Sequence, residues 1–541
     1  MNNSIFTIEA PANEPVHMFG PGSPERAAIQ KELAVMSAEI PEIPLIIGGK
    51  EVRTGKLADA LNPNDGTVLA RYHQATESDV ESAIAVALEA KRQWESLSWI
   101  ERASINLRTA ELISKTYRSR ILAATMLGQG KSVYQAEIDA ACESIDFLRF
   151  NAYFAGQIYA GQPRSARDQL NRLEYRPLEG FVLTVSPFNF TAIGSNLNMA
   201  VALMGNATVW KPASTSVLSS YTLMQIYREA GLPPGVVNFL PGSGSMIGRT
   251  AMANHNFAGV HFTGSNGTFN QLWRNVAANL EQYKTYPRIV GETGGKGFVF
   301  AHASANAQEV ATALVRGGFE YQGQKCSAAS RAYIPRSLWP AVKSAALDMV
   351  GTIKVGDVRD LSNFVNPVID EASFDNIMGY IGKAKASPSA EILCGGTGDK
   401  RHGFYVQPTI VLTTDPHFVT MEEEIFGPVM TVFVYEDADW KATLELCDTT
   451  SPYALTGCVF SQDRYAFIEA CRALRYAAGN FYLNDKPTGA SVGQQPFGGA
   501  RASGTNDKAG GPLNLLRWVS PRTVKETFVP ATDYRYPFLE P

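Results

Sequence analysis

The stretch GFVLTVSPFN, residues 180–189, is an apolar run that stops at Ser-Pro. A short run rich in Phe and Val and ended by a turn pair predicts a strand buried on both faces. Three similar runs follow: ATVWKP at 207–212, VVNFLPG at 236–242 and VHFTGS at 260–265. Between them lie helical stretches such as SSYTLMQIYREAGLPPG, which closes on a Gly-Leu-Pro-Pro stop. Strands alternating with helices at this spacing predict a parallel sheet wound with helices. Ligands on such sheets bind beyond the carboxyl ends of the strands, where SPFN, WKPA, PGSG and FTGS would sit.

Upstream, residues 1–45 read as an arm, with a Ser-Pro-Glu helix start in GSPERAAIQKELAVMSAEIPEIP. TESDVESAIAVALEAKRQWESL then predicts a helix with Val80, Ile84, Val86 and Leu88 on one side, capped by Thr76 or Ser78. A second helical region spans roughly 100–160. Downstream of Gly294 a new strand-helix series begins with KGFVFAH, continues through a helix at 307–320, and then through SRAYIP, PTIVL and TVFVY. The tail LLRWVSPRTVKETFVP reads as one or two extended strands, whose free edges invite pairing with another subunit.

The 541 residues suffice for roughly two to four domains and a large core. A net charge of −4 and the lack of a polybasic run argue against nucleic acid and anionic membranes. The longest apolar runs stop short of a membrane span. The seven histidines form no HExxH pattern and the six cysteines no CxxC pair, so no metal site is expected. So few cysteines in a long chain fit a reducing compartment. The start MNNSIFTIEAPANEP has no apolar core and no Arg-rich amphipathic helix. The expectation is a cytoplasmic protein, or a mature form stripped of its presequence.

Chemistry gathers around YQGQKCSAAS, residues 321–330, where Cys326 stands on a collar of small residues that reads as flexible. A cysteine is commonly a small buried hydrophobe. A reactive one needs access, a route to thiolate and room for substrate. Glu292 in GETGGKGF is a turn anchor, or a general base on a permissive backbone. Asn189 in SPFNF satisfies loop backbone, or aims its amide at an oxyanion. Lys211 in VWKPAS is a solvated lysine, or a ligand contact at a strand end. FTGSNGTF places Gly264 and Ser265 before an amphipathic helix with Phe269, Leu272, Trp273, Val276 and Leu280, an ordinary turn or an anion site. Taken together, a thiol, a carboxylate base and an amide donor are the parts needed to oxidise an aldehyde through a thioester.

SPFNFTAIGSN, LMGNATVWKPAS, FTGS, GETGGK, YQGQKCSAASR and EEIFGPV occur in the order and spacing of the aldehyde dehydrogenase superfamily, which the chain resembles across about residues 45–520. The stretches QAEIDAACESIDFLRFN (135–151) and VGQQPFGGARASGTNDKAGGP (492–512) narrow the resemblance. They point to the branch that oxidises L-glutamate γ-semialdehyde to L-glutamate with NAD⁺, the second step of proline catabolism. Thr293 departs from the Leu or Cys usual at its position in that family.

The resemblance implies an α/β fold with a Rossmann-like NAD-binding domain (46–164 and 181–293), an α/β catalytic domain (294–510) and a small β oligomerisation flap (165–180 and 511–541). It implies Cys326 as nucleophile, Glu292 as the base for the deacylating water and Asn189 as oxyanion donor. Lys211, Ser265, Glu424 and Phe426 would hold NAD. Ser327, Gly489 and Ala490 would bind the substrate carboxylate, Phe190 and Phe497 its aliphatic stem, and Glu143 its ammonium. It further implies a homodimer or an assembly of dimers, and a functional link to a proline dehydrogenase. The other five cysteines are expected to be structural. Two rivals stand beside this reading: the same chemistry on another aldehyde, such as succinate semialdehyde, and a catalytically silent scaffold.

Overall fold

The computed structural model describes residues 6–539; the first five residues of the arm and the last two of the tail lie outside the described residues. Two seven-stranded sheets organise the chain. In the first, Phe181–Val185 lies at the centre, with Thr208–Lys211 and Val237–Phe239 on one side and Phe257–Thr263 and Arg288–Glu292 on the other, all parallel. The hairpin Leu45–Ile47 and Lys50–Val52 extends it in antiparallel sense. The runs that predicted strands carry no alternation because both faces are covered: Phe181, Val182, Leu183 and Thr184 are all buried.

The second sheet is built from Gly297–Ala301, Ala329–Pro335, Val429–Tyr435, Thr409–Thr413, Thr456–Phe460 and Asn480–Leu483, with Ala390–Cys394 antiparallel at one edge. Glu292 ends the last strand of the first sheet and Cys326 precedes the second strand of the other. The carboxyl end of the first sheet's edge strand at Glu292 thus lies beside the loop that enters the central strand of the second sheet, and an antiparallel bridge joins Glu292 to Gly504.

The helices follow their caps. Ser23 caps Pro24–Ser37. Thr76, not Ser78, caps Glu77–Trp94, in a reciprocal box with Asp79. The buried stripe of that helix is Val80, Ala83, Ile84, Ala87 and Trp94, while Val86 and Leu88 lie at its half-buried margin. The stripe that runs through Val80 and Ile84 at helical spacing continues through Ala83 and Ala87, which puts Val86 and Leu88 to either side of it. Similarly, Asn266–Ala278 buries Phe269, Leu272 and Val276, whereas Trp273 and Leu280 stay exposed. The region 100–160 is several helices, and Glu137–Glu143 within it is a π-helical turn.

The tail begins with a short helix, Pro512–Leu516, in place of extended chain. Val519–Thr527 then pairs antiparallel with Gln169–Pro177 to form a two-stranded ribbon. Asn206 ties the root of the ribbon to the body: its Oδ1 accepts from Leu178 N–H at 2.8 Å and its Nδ2 donates to Trp518 C=O at 2.9 Å. Asn206 is fully buried. No helix of the described residues is long and apolar enough to cross a membrane. Replacing Asn206 with Ala strands a buried donor and a buried acceptor, so unfolding should become easier by about 2–3 kcal/mol, read as a lowered urea midpoint.

Candidate active site

A cavity of about 310 Å³ opens between the sheets and is lined by Cys326, Glu292, Glu143, Phe190, Ser327 and Phe497, among others. Cys326 is 8% exposed, and its Sγ lies 3.6 Å from Glu292 Oε1. Burial pushes the thiol pKa up, and the neighbouring Glu292 carboxylate pushes it further. Burial also raises Glu292 to about 7, against the contrary pulls of the Cys326 hydrogen bond and of Lys508. The thiol thus keeps its proton and offers it to a carboxylate poised near neutrality, an arrangement suited to coupled proton transfer.

The collar before Cys326 is neither loose nor solvated. Tyr321 and Gln322 hold left-handed backbone at φ 51° and 54°, and both are buried. Such strain persists only where the surroundings impose it. Gln322 Nε2 donates to Gly130 C=O and Pro367 C=O, both at 2.8 Å, and Gln324 Oε1 accepts from Ile369 N–H at 2.9 Å. Two glutamines that looked like polar filler in the sequence pin the thiol's loop. Asn189 Nδ2 donates to Gln324 C=O at 3.0 Å, which leaves the second amide hydrogen for a ligand.

Next to Cys326 on the cavity wall, Ser327 Oγ hydrogen-bonds Thr488 Oγ1 at 2.7 Å. Gly489 follows with φ 100°, a conformation that favours glycine, and Ala490 lines the same wall. Glu143, the last residue of the π-helical turn, lines the cavity as well. A π turn inserts one residue and re-aims the side chains around it. The Glu143 carboxylate has no hydrogen-bonding or ion-pair partner among the described residues, and its pKa is raised by burial and then by Asp139.

Sequence reasoning missed Lys131 and Asp139. They form a fully buried ion pair at 2.6 Å, and the Lys131 ammonium lies 4.0 Å from the Phe190 ring centroid and 4.5 Å from that of Tyr321. Asp139 also accepts from Thr191 N–H at 3.0 Å and Ala192 N–H at 2.8 Å, fixing the turn that carries Asn189 and Phe190. Only the i,i+8 spacing of Lys131 and Asp139 hints at this, and it is not a helical contact. Cys142, expected to be structural, also lines the cavity, and Cys471 is exposed on the surface.

A second cluster lies along the edge of the first sheet. Lys211 is no solvated lysine: burial lowers its pKa, and its ammonium has no partner among the described residues. A Cβ placed on Gly244, the first residue of helix Gly244–Met252, would lie 3.6 Å from Nζ. A buried ammonium beside a helix N-terminus calls for a polar or anionic ligand. Ser265 caps Asn266–Ala278, accepting from Thr268 N–H at 3.3 Å. Glu424 reaches across and accepts from Gly295 N–H at 2.8 Å; a Cβ on Gly294 would come within 2.2 Å of its Oε2. The Gly-Gly pair is therefore required for this approach. Phe426 sits at φ 58° with its ring edge-on to Phe188. Thr293 Oγ1 donates to Ala502 C=O at 2.5 Å, which gives that departure a local partner. This donor set fits a dinucleotide.

The chain belongs to the aldehyde dehydrogenase family, whose pattern it matches over residues 51–524. It is 54% identical to the mitochondrial delta-1-pyrroline-5-carboxylate dehydrogenase of Dictyostelium discoideum, over 98% of this chain and 96% of the other. To the Homo sapiens enzyme of the same name it is 50% identical, over 98% and 94%. Its fold superposes with a TM-score of 0.96 on the crystal structure of the delta-pyrroline-5-carboxylate dehydrogenase from Mycobacterium tuberculosis bound with NAD, at 49% identity over the whole of both chains.

Removing one partner of the Lys131–Asp139 pair leaves a charge buried and uncompensated. Lys131→Met should destabilise the protein by about 3–5 kcal/mol, measured by chemical denaturation.

Proposed function

We propose that this protein oxidises L-glutamate γ-semialdehyde, the open form of Δ1-pyrroline-5-carboxylate, to L-glutamate with NAD⁺. The observation that carries the reading is the layout of one cavity. A thiol and a base stand 3.6 Å apart, and the wall of the same cavity carries the Ser327 hydroxyl, the glycine-rich loop at 488–490 and the unpaired Glu143 carboxylate. That layout suits an aldehyde whose far end bears a carboxylate and an ammonium. Ser327 and the N–H groups of Gly489 and Ala490 serve the carboxylate. Glu143 meets the ammonium, and Phe190 and Phe497 hold the aliphatic stem.

Cys326 gives up its proton, directly or through water to Glu292, and its thiolate adds to the aldehyde carbon. The free hydrogen of the Asn189 amide and the Cys326 N–H stabilise the oxyanion, each worth about 3 kcal/mol. Lys211, Ser265, Glu424 and Phe426 would hold NAD⁺, which supplies a two-electron acceptor for the hydride leaving that carbon. Cys326 is then acylated as a thioester. Glu292, once it has released the thiol proton to solvent, takes a proton from water as the water oxygen bonds the acyl carbon; the C–S bond breaks, the sulfur takes back a proton from Glu292, and glutamate departs.

The two-stranded ribbon leaves outer edges unpaired, and Phe528, Val529 and Phe538 are exposed beyond it. We infer that this face pairs with a second copy of the chain, giving a homodimer or an assembly of dimers. The reading also places the enzyme after a proline dehydrogenase, as a functional link, in the cytoplasm of a bacterium or in a mitochondrial matrix. Its eukaryotic relatives in D. discoideum and H. sapiens are named as mitochondrial.

The test is NADH formation with pyrroline-5-carboxylate, beside succinate semialdehyde and propanal. Strong preference for the first, reduced roughly a thousandfold or more by Cys326→Ala, is expected. Turnover of the other aldehydes alone would overturn the substrate, and no turnover of any would overturn the activity. Because Glu292 titrates near about 7, its base form grows as pH rises through that value. Thioester hydrolysis should therefore rise between about pH 6 and 8, and Glu292→Gln should abolish this rise and accumulate acyl-enzyme in single-turnover experiments.

A further inference from the structure

The family pattern begins at residue 51, yet the cavity wall includes Asn13, Glu14 and Val16 of the arm. Their contacts span the molecule. Asn13 Nδ2 lies 2.7 Å from Asp146 Oδ2 and 2.8 Å from Val492 C=O, and so donates to both. Its Oδ1 accepts from Gln494 Nε2 at 2.7 Å, and Glu14 N–H donates to Asp146 Oδ1 at 2.8 Å. The Glu14 carboxylate pairs with Arg118 and Arg149, each at 2.6 Å, and is nearly buried. Arg118 in turn pairs with the fully buried Glu137, which accepts from His17 N–H at 2.9 Å.

The position of Asn13 matters more than the number of its bonds. Asp146 lies three residues beyond Glu143, at the start of helix Ser144–Ala160. Val492 lies two residues beyond Ala490, on the loop that carries Gly489. These are the two walls that face the ammonium and carboxylate ends of the substrate under the proposed function. No backbone hydrogen bond or strand pairing joins those two walls directly among the described residues. Apolar packing of Val492 with Phe147 and Phe150 joins them, and the Asn13 side-chain amide adds the polar link; a charge network that reaches into the π-helical turn anchors its segment.

We propose that the N-terminal arm is a specificity element: Asn13 clamps the loop 488–492 to the helix bearing Asp146, and so sets the spacing between the carboxylate-binding and ammonium-binding walls. Asn13 is a positioning residue, acting through Val492 and Asp146. An aldehyde charged at both positions needs that spacing; a short aliphatic aldehyde needs only the end at Cys326. This rests on the proposed amino-acid aldehyde substrate.

The test compares Asn13→Ala with the parent protein for kcat and KM on pyrroline-5-carboxylate and on propanal, with thermal melting measured alongside. The expected result is a KM for pyrroline-5-carboxylate raised roughly tenfold, with kcat changed less, and a matching fall in the preference over propanal. Glu14→Gln, which keeps shape but weakens the anchor, should shift the preference in the same direction by a smaller factor. If the parent prefers pyrroline-5-carboxylate and both variants keep that preference, the arm is a structural brace and the proposal falls. Equal losses on both aldehydes, or a lowered melting temperature with unchanged preference, would overturn it as well. A parent with no preference would instead refute the substrate assignment.

Discussion

The site depends on a thiol and a carboxylate held 3.6 Å apart in a place from which water is largely excluded. Burial disfavours the charged form of both, and the charge of either makes ionisation of the other harder. Such a pair releases its proton when a reacting carbon is present to take up the sulfur's electrons. The surroundings serve that condition. The strand end at Glu292 lies beside the loop that leads into Ala329–Pro335, the central strand of the second sheet. The backbone strain at Tyr321 and Gln322 is held by packing and by two glutamine side chains, so the thiol does not swing away.

Around this centre, charge is distributed by element. The buried Lys131–Asp139 pair is costly to desolvate and adds little net stability for that reason. Its value is positional: Asp139 holds the first turn after Phe190 while Lys131 lies against two aromatic faces. Within the π-helical turn Asp139 is consumed by Lys131 and the Thr191–Ala192 backbone, while Glu143, four residues on, lines the cavity. Lys211 and Glu424 occupy the other side of the seam, each with hydrogen-bonding capacity left for a ligand. The thiol, the carboxylate and the cavity walls thus converge from distant segments, and the arm adds Asn13, Glu14 and Val16 to the lining.

Much of the fold was legible because strand and helix signals are local. Buried runs such as FVLTV and VHFT, and caps such as Ser23 and Thr76, announce themselves within a few residues. Which face a helix buries was less legible. Ala83 and Ala87 displaced Val86 and Leu88 from the core, and Trp273 was left exposed, since packing distance and partner shape decide such contacts. The π turn and the short helix at Pro512–Leu516 left no periodic signal long enough to read. Of the residues in and around the cavity, Cys326, Glu292 and Asn189 stood out by their motifs, while Lys131, Asp139 and Asn13 did not.

The sequence by itself determined the alternation of strands and helices, the ligand edge at the strand ends, the chemical inventory of thiol, base and amide, and the family likeness. All of these are written in short stretches whose periodicity or residue types suffice. Only the tertiary structure decided that Lys211 is half-buried and unpaired among the described residues and that Gln322 and Gln324 brace the loop before Cys326. It alone brought Asn13 across the chain to Asp146 and Val492. A side chain's burial, charge state and partners depend on residues more than a hundred positions away, and no local pattern encodes those distances.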